Sequence, residues 1–395
     1  MTHPTGPTWR ILLVTVGIVL FVYTVLRGLD EPPTYAFAHW LLSYEHGFIK
    51  RGLIGTLVEP LLEGKRPNEL RVIVSMLSMA TLTLTFTALL RAAWEILRHG
   101  ERLETGGFVP PLLLAFVSSS AIVLAASSIG YFDHFLTLLS LAAIVLIRHG
   151  RMVLAGLLCV VALAIHEVFA FCGLPVVVFA MLLRATVEAR GRGEVPSLQG
   201  VLRRVGPAML PPVAAFAFLM LTQASIPAER IEAARADLVE SGALSTARVD
   251  SGVRHLKEGF RENVAKQGKV GVRRLVDTKI GRMAWPTLLV LVVSAGALLV
   301  SSGNRVLLPT LLVVALAPQA THFFATDAMR FTNRSLLETF LALFAIVTIV
   351  RPAFAWPRIS WALAALAVLA LVANLVWRTP VMNERVDGGS LFSPK

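Results

Sequence analysis

Charge is scarce along this sequence. Of its 395 residues only 16% are Asp, Glu, Lys or Arg, whereas 55% are hydrophobic, and mean hydropathy is +0.70. A soluble globular domain carries about 25% charged residues, so that class is excluded. Strand-like alternation of apolar and polar residues is also missing, which argues against a membrane β-barrel. The two cysteines, Cys159 and Cys172, both lie in apolar segments without metal-ligand spacing. They read as small buried hydrophobes. No small-x-small cleavage site follows the first apolar run, where Arg27, Asp30 and Glu31 stand instead. That run is therefore expected to remain as a span rather than to be removed as a signal. Internal repeats of the transporter kind and low-complexity tracts are absent.

What is present is a series of apolar blocks about 15–22 residues long, enough to cross a bilayer at a rise of about 1.5 Å per residue. The expected fold is all-α: a polytopic helical membrane protein forming a single integral membrane domain, 1–395. About eleven transmembrane helices are predicted, over 9–26, 70–90, 109–129, 133–148, 152–171, 173–187, 206–223, 284–302, 305–321, 335–351 and 359–377. Pro175 near the start of one span, and Pro207, Pro211 and Pro212 within another, predict tilted or broken helices there. The net charge of +12 belongs to short cytoplasmic loops rather than to nucleic-acid binding. Arg91, Arg98 and Arg102, Arg148 and Arg151, Arg184, Arg190, Arg192, Arg203 and Arg204, and then Arg305, Arg351 and Arg358 all fall on one side when the N-terminus is cytoplasmic.

Two long hydrophilic segments are expected on the opposite, periplasmic side of a bacterial inner membrane. In the first external loop, 27–69, Phe37, Trp40, Leu41, Tyr44 and Phe48 recur at helical spacing and suggest an interfacial helix lying flat on the membrane. The second, 224–283, is basic and patterned as two amphipathic helices. Its placement depends on 206–223 crossing, because without that crossing everything after it changes sides.

Four polar clusters stand at the ends of apolar segments, where an ionisable group costs up to roughly 2–4 kcal/mol, less near the surface. Asp30 and Glu31 meet the stiff Pro32-Pro33; they are either a general base or metal ligand, or charges that merely end a helix. Asp133 and His134 open the fourth span, where an acidic residue also suits a helix N-terminus. His166 and Glu167 lie near the outer end of the fifth span. Their side chains point about 100° apart on a helix, so one is expected in the bundle and the other toward a loop. A zinc-protease motif is rejected there, because Ala170 stands where the second His would be. His322, Asp327 and Arg330 follow the ninth span. Asp327 and Arg330 either pair with each other, or Arg330 grips a phosphate. Lys50 and Arg51, beside Gly52 and Gly55, either grip a phosphate or attract lipid headgroups at about 1 kcal/mol each.

Cations that hold a lipid phosphate, with a carboxylate or imidazole to take a proton from an acceptor hydroxyl, suit glycosyl transfer from a polyprenyl-linked donor. The sequence also resembles the polytopic membrane glycosyltransferases of the C-type architecture and related bacterial exopolysaccharide or O-antigen polymerase-like proteins. The resemblance rests on Asp30-Glu31 after the first span, the helix through Trp40, the stretch from Tyr44 to Leu53, and His166-Glu167 followed by Pro175. It implies that Asp30 or Glu31 acts as base or metal ligand; whether a divalent metal takes part stays open. The expected roles are Asp30, Glu31, His166 and Glu167 in catalysis, with Lys50, Arg51, Asp133, His134, His322, Asp327 and Arg330 binding substrate. The expected partners are a lipid-linked sugar donor, a glycan or lipid acceptor and the bilayer. Two alternatives stand beside this one: a transporter or flippase of a lipid-linked or anionic solute, and a membrane acyltransferase acting on a glycan.

Overall fold

A computed structural model describes residues 7–30, 32–47, 51–100, 106–223, 226–257, 264–265, 268, 278–323, 328–350 and 357–376. The chain is helical throughout these residues, with no strand among them. In chain order the helices are α1 (Pro7–Gly28), α2 (Thr34–Leu41), α3 (Gly52–Leu62), α4 (Pro67–Gly100), α5 (Val109–Val117), α6 (Ser120–Ser127), α7 (Asp133–Arg148) and α8 (Met152–Ile165). There follow α9 (Leu174–Gly191), α10 (Leu198–Gln223), α11 (Ala228–Glu240), α12 (Thr246–Lys257), α13 (Thr278–Ser301), α14 (Leu308–Ala320), α15 (Ala328–Ile349) and α16 (Pro357–Val376).

All eleven apolar blocks are helical, but among the described residues nine spans are long and apolar enough to cross a membrane. The two that fall short are α7, with 16 residues, and α8, with 14. They are about 24 and 21 Å long at 1.5 Å per residue, against a hydrocarbon core of about 30 Å. The span expected over 152–171 stops early because the helix breaks at His166, which is extended (φ −159°, ψ 121°). By contrast, α10 runs unbroken through Pro207, Pro211 and Pro212. Helix α8 packs against part of it, and Gly156 of α8 comes close to its backbone. A Cβ on Gly156 would stand 2.0 Å from the Ala208 carbonyl oxygen, and small residues at such crossings let backbones pack where lipid gives no hydrophobic drive. Pro175 sits in the first turn of α9, where its missing N–H costs nothing.

Burial separates axis from rim. In Arg330–Val350 94% of residues are buried, against 17% in Ile11–Gly28. Helix α15 is thus the axis of the bundle, while α1 leaves Ile11, Val19, Tyr23 and Leu26 open at the outside.

The bundle has two chemically different ends. At one, Arg148 reaches Glu95, and Arg204 reaches Glu188. Arg190 donates to Asn304 and to the Gly303 carbonyl at the same end. At the other lie the first loop, the start of α7, the end of α8 and the start of α15. The two long hydrophilic segments share this second end: Arg71 donates to the Ala243 carbonyl, and His46 pairs with Asp237 at 2.8 Å. Helices α11 and α12 turn Ile231, Ala234 and Leu238, and Val249, Val253 and Leu256, into the protein. The helix that forms in the first loop is short and largely enclosed. Helix α2 has eight residues, and Ala36, Phe37, Ala38, His39 and Trp40 are all buried, because α3 and α12 pack against it. Of the predicted stripe, Phe37 and Trp40 are buried by protein, Leu41 and Tyr44 are half-buried, and Phe48 lies outside the described residues.

Candidate functional site

Five separated stretches converge at the second end: α2, the start of α3, the turn into α7, the break after α8, and the start of α15. Gly130 opens the turn. Its φ of +88° is a conformation that side-chain-bearing residues seldom adopt. Its carbonyl accepts the Trp40 indole N–H at 2.8 Å, and Pro32 packs beside it. This ties the first loop to the residues that precede Asp133.

Arg51 is the first centre of charge. It precedes α3 with φ 64° and ψ 13°, and among the described residues no other non-glycine has a positive φ. Such backbone outliers are sustained by their surroundings and concentrate at working sites. Tyr35 and His39, one turn apart on α2, hold its guanidinium: it donates to the Tyr35 hydroxyl at 3.0 Å and contacts His39 Nε2 at 2.9 Å. An arginine only donates, so Nε2 accepts and the His39 proton is on Nδ1. Glu167 lies 3.7 Å away on the other side. Burial works against the Arg51 charge, but Tyr35 and Glu167 outweigh it and hold the group above its ordinary pKa.

Arg330 and Arg334 form the second centre. Arg330 pairs with Asp133 at 2.7 Å, both side chains being about nine-tenths buried. Its guanidinium sits 4.6 Å over the Tyr131 ring and 4.9 Å over that of Phe331. Arg334 donates to the Thr137 hydroxyl and to the Cys172 carbonyl at 3.3 Å, and lies 3.5 Å from Glu338. Arg330, Arg334 and Glu338 recur every fourth residue and so share one face of α15. The two centres are not independent: Arg330 bears electrostatically on Arg51, and His166 on Asp133.

His166 and Glu167 link them. The helix break leaves His166 buried and Glu167 about a quarter exposed, with Nδ1 of the imidazole 3.1 Å from the carboxylate. The same Nδ1 accepts the Val168 N–H at 3.2 Å. One ring nitrogen has one in-plane position, so Nδ1 either caps the 3₁₀ turn or, protonated, donates to Glu167. The pair can therefore pass a proton with only a small local change.

The remaining expected residues are placed as follows. His134 is buried beside Asp133 and bonded to the Ser128 backbone. Asp30 ends the first span, half-buried, at the same end of the bundle. His322 is fully buried and contacts Gln319 at 2.8 Å and Thr332 at 3.2 Å. Together with the bond from Gln319 to Ser335, it fastens the end of α14 to α15. Glu31, Lys50 and Asp327 lie outside the described residues. Tyr35, His39, Tyr131, Arg334 and Glu338 were not singled out from sequence. The signals for them were the four-residue repeat of charges through an apolar span, and the four-residue spacing of Tyr35 and His39.

The described carboxylates of the cluster, Asp133, Glu167 and Glu338, each face a guanidinium, an arrangement that suits an anion exchanging with them better than a cation added to them. Among the described residues one group of three has donor atoms spaced for a metal ion: Glu45, His46 and Asp237, all within 4.8 Å of one another. It belongs to the contact between the first loop and α11.

Set against protein-family models, curated proteins and solved structures, the chain has no match.

Proposed function

We propose that the chain transfers a sugar from a polyprenyl-phosphate-linked donor to a glycan or lipid acceptor, on the periplasmic face of a bacterial inner membrane. The observation that carries this reading is the convergence of Arg51, Arg330 and Arg334 with Glu167 and His166 at one end of a membrane bundle. The arginines crowding the other end support this orientation.

Of the three ion pairs, Arg51 with Glu167 is the loosest and the most exposed. A donor phosphate entering there takes Arg51, and Glu167 is released as a carboxylate in a dry site. The acceptor hydroxyl attacks the anomeric carbon and forms the new glycosidic C–O bond. The bond from that carbon to the phosphate oxygen breaks, and the polyprenyl phosphate keeps the electron pair, held by Arg51 and Arg330. Glu167 takes the hydroxyl proton, and His166 passes it on. Arginine suits this work because its planar fork matches phosphate oxygens. Helix α12, packed on α2, and α11, packed on α12 and on the turn Tyr44–His46, act as a cover.

The test is product formation in lipid nanodiscs from a polyprenyl-phosphate hexose, read by mass spectrometry, with binding of polyprenyl phosphate read separately. Glu167→Gln should abolish transfer and leave binding intact. Arg330→Glu should weaken binding about 10–100-fold, the loss of a charge-assisted contact of roughly 1.5–3 kcal/mol, while Arg98→Glu at the opposite end should not. Equal effects of the two charge reversals would remove the phosphate role.

One observation favours a second reading, transport of an anionic solute. The stripe Arg330–Arg334–Glu338 runs about 12 Å along α15 at 1.5 Å per residue, so charge penetrates well below the surface, where transporters keep their sites. Flux of polyprenyl phosphate across proteoliposomes, with no new covalent product, would select it.

A further inference from the structure

The arginine-rich end of the bundle holds a cavity of about 340 Å³ lined by Arg148, His149, Arg184, Thr348 and Ile349. These residues come from the ends of α7 and α15 and the second half of α9, so the cavity opens where three helices of the bundle approach their loops. Its charge is not balanced. Glu95 is shared by Arg91 at 3.2 Å and Arg148 at 3.8 Å, and Glu188 by Arg184 at 2.6 Å and Arg204 at 3.6 Å. Four guanidiniums thus share two carboxylates, leaving an excess of positive charge around the opening. The surroundings are those of a membrane boundary. Trp94, next to Glu95, is 46% exposed, and Val145, one turn before His149, is 40% exposed. An exposed Trp near a helix end suits the headgroup level, and an exposed Val on an apolar helix of the bundle suits acyl chains.

We propose that this cavity binds the phosphate of an anionic phospholipid headgroup, with Arg148 and Arg184 as its two cationic arms. A basic pocket between spans, on the side where loop arginines accumulate, is the setting in which such headgroups bind. The two glutamates set the strength. Each draws part of the charge of its arginines, so the site takes a singly or doubly charged headgroup and releases it again. The site is separate from the cluster at the other end and stands whether or not that cluster transfers sugars.

The test uses the full chain, delipidated in detergent and titrated with phosphatidylglycerol, cardiolipin, phosphatidylcholine or inorganic phosphate, with occupancy read by native mass spectrometry. Phosphatidylglycerol and cardiolipin should bind at least 10-fold more tightly than phosphatidylcholine. The double variant Arg148→Gln/Arg184→Gln should remove that preference, and Arg148→Lys/Arg184→Lys should restore most of it. Arg66→Gln, at an exposed residue of the other end, should leave it unchanged. Loss of preference in the Gln pair with recovery in the Lys pair excludes a simple folding defect. The proposal is overturned if wild type does not discriminate among the lipids. It is equally overturned if the Gln pair still discriminates, if Arg66→Gln costs as much, or if inorganic phosphate competes away all the lipid at equal concentration.

Discussion

Replacing Asp133 by Asn removes one negative charge from a buried cluster in which each charge has an opposite within reach. Its carboxylate is paired with Arg330 at 2.7 Å, and only 6% of the side chain is exposed. Removing one partner of a buried pair costs about 3–5 kcal/mol, because the other charge stays buried and uncompensated. Here two guanidiniums suffer, since Arg334 also bears on Asp133, so D133N belongs at the upper part of that range. The reciprocal change, R330Q, costs less, about 1–3 kcal/mol, because Asp133 still has Arg334 as a neighbour. In the double variant neither charge is left alone. Its loss should fall short of the sum of the single losses by about 1–3 kcal/mol, the range of coupling found for residues in one network. The measurement is unfolding of the purified protein in mixed micelles titrated with a denaturing detergent, for wild type, both single variants and the double. Additivity within about 0.5 kcal/mol, or a D133N cost smaller than that of R330Q, would refute the reasoning.

Trp40→Phe should cost about 1 kcal/mol in the same assay, the net worth of one buried hydrogen bond to the Gly130 carbonyl. Gly156→Val should cost about 1–3 kcal/mol by forcing α8 away from α10, whereas Gly191→Val, at the open end of α9 where an added Cβ meets nothing, should disturb no helix contact; equal accessibility of the α8–α10 seam to hydrogen exchange in both variants would contradict this. Single cysteines at Glu229 on α11 and at Arg192 after α9 should be labelled by a membrane-impermeant thiol reagent from opposite sides of sealed vesicles, over a low background because Cys159 and Cys172 are buried. Labelling of both from one side would overturn the two-ended arrangement.

Much of the architecture was legible because apolar run length is a strong signal: each block found in the sequence is helical, although 109–129 divides into α5 and α6 and 152–171 breaks at His166. The weaker points trace to physics that a run of letters carries poorly. His166 sits in an unbroken apolar run, yet its imidazole caps the next turn and stops the helix. Three prolines suggest a break in α10, yet the helix is continuous, with α8 packed against part of it. The stripe through Phe37 and Trp40 has the period of a surface helix, and only tertiary packing by α12 reveals that protein covers it. For the site, Asp133, His166, Glu167, Arg51 and Arg330 were found because charge is conspicuous among hydrocarbon. Arg334, beside Arg330 at the predicted edge of a span, was as conspicuous, whereas Glu338 lies inside the predicted span, away from either helix end. Tyr35 and His39 become meaningful only once Arg51 is seen between α2 and Glu167.

The brevity of α7 and α8 has a consequence for the surrounding lipid. Two neighbouring helices that end roughly 6–9 Å short of a standard hydrocarbon core cannot be matched by a flat leaflet. The acyl chains beside them must shorten or splay, producing a local dimple at the site end. Such hydrophobic mismatch costs a fraction of a kcal/mol per Å, so thin bilayers should accept the protein more readily than thick ones.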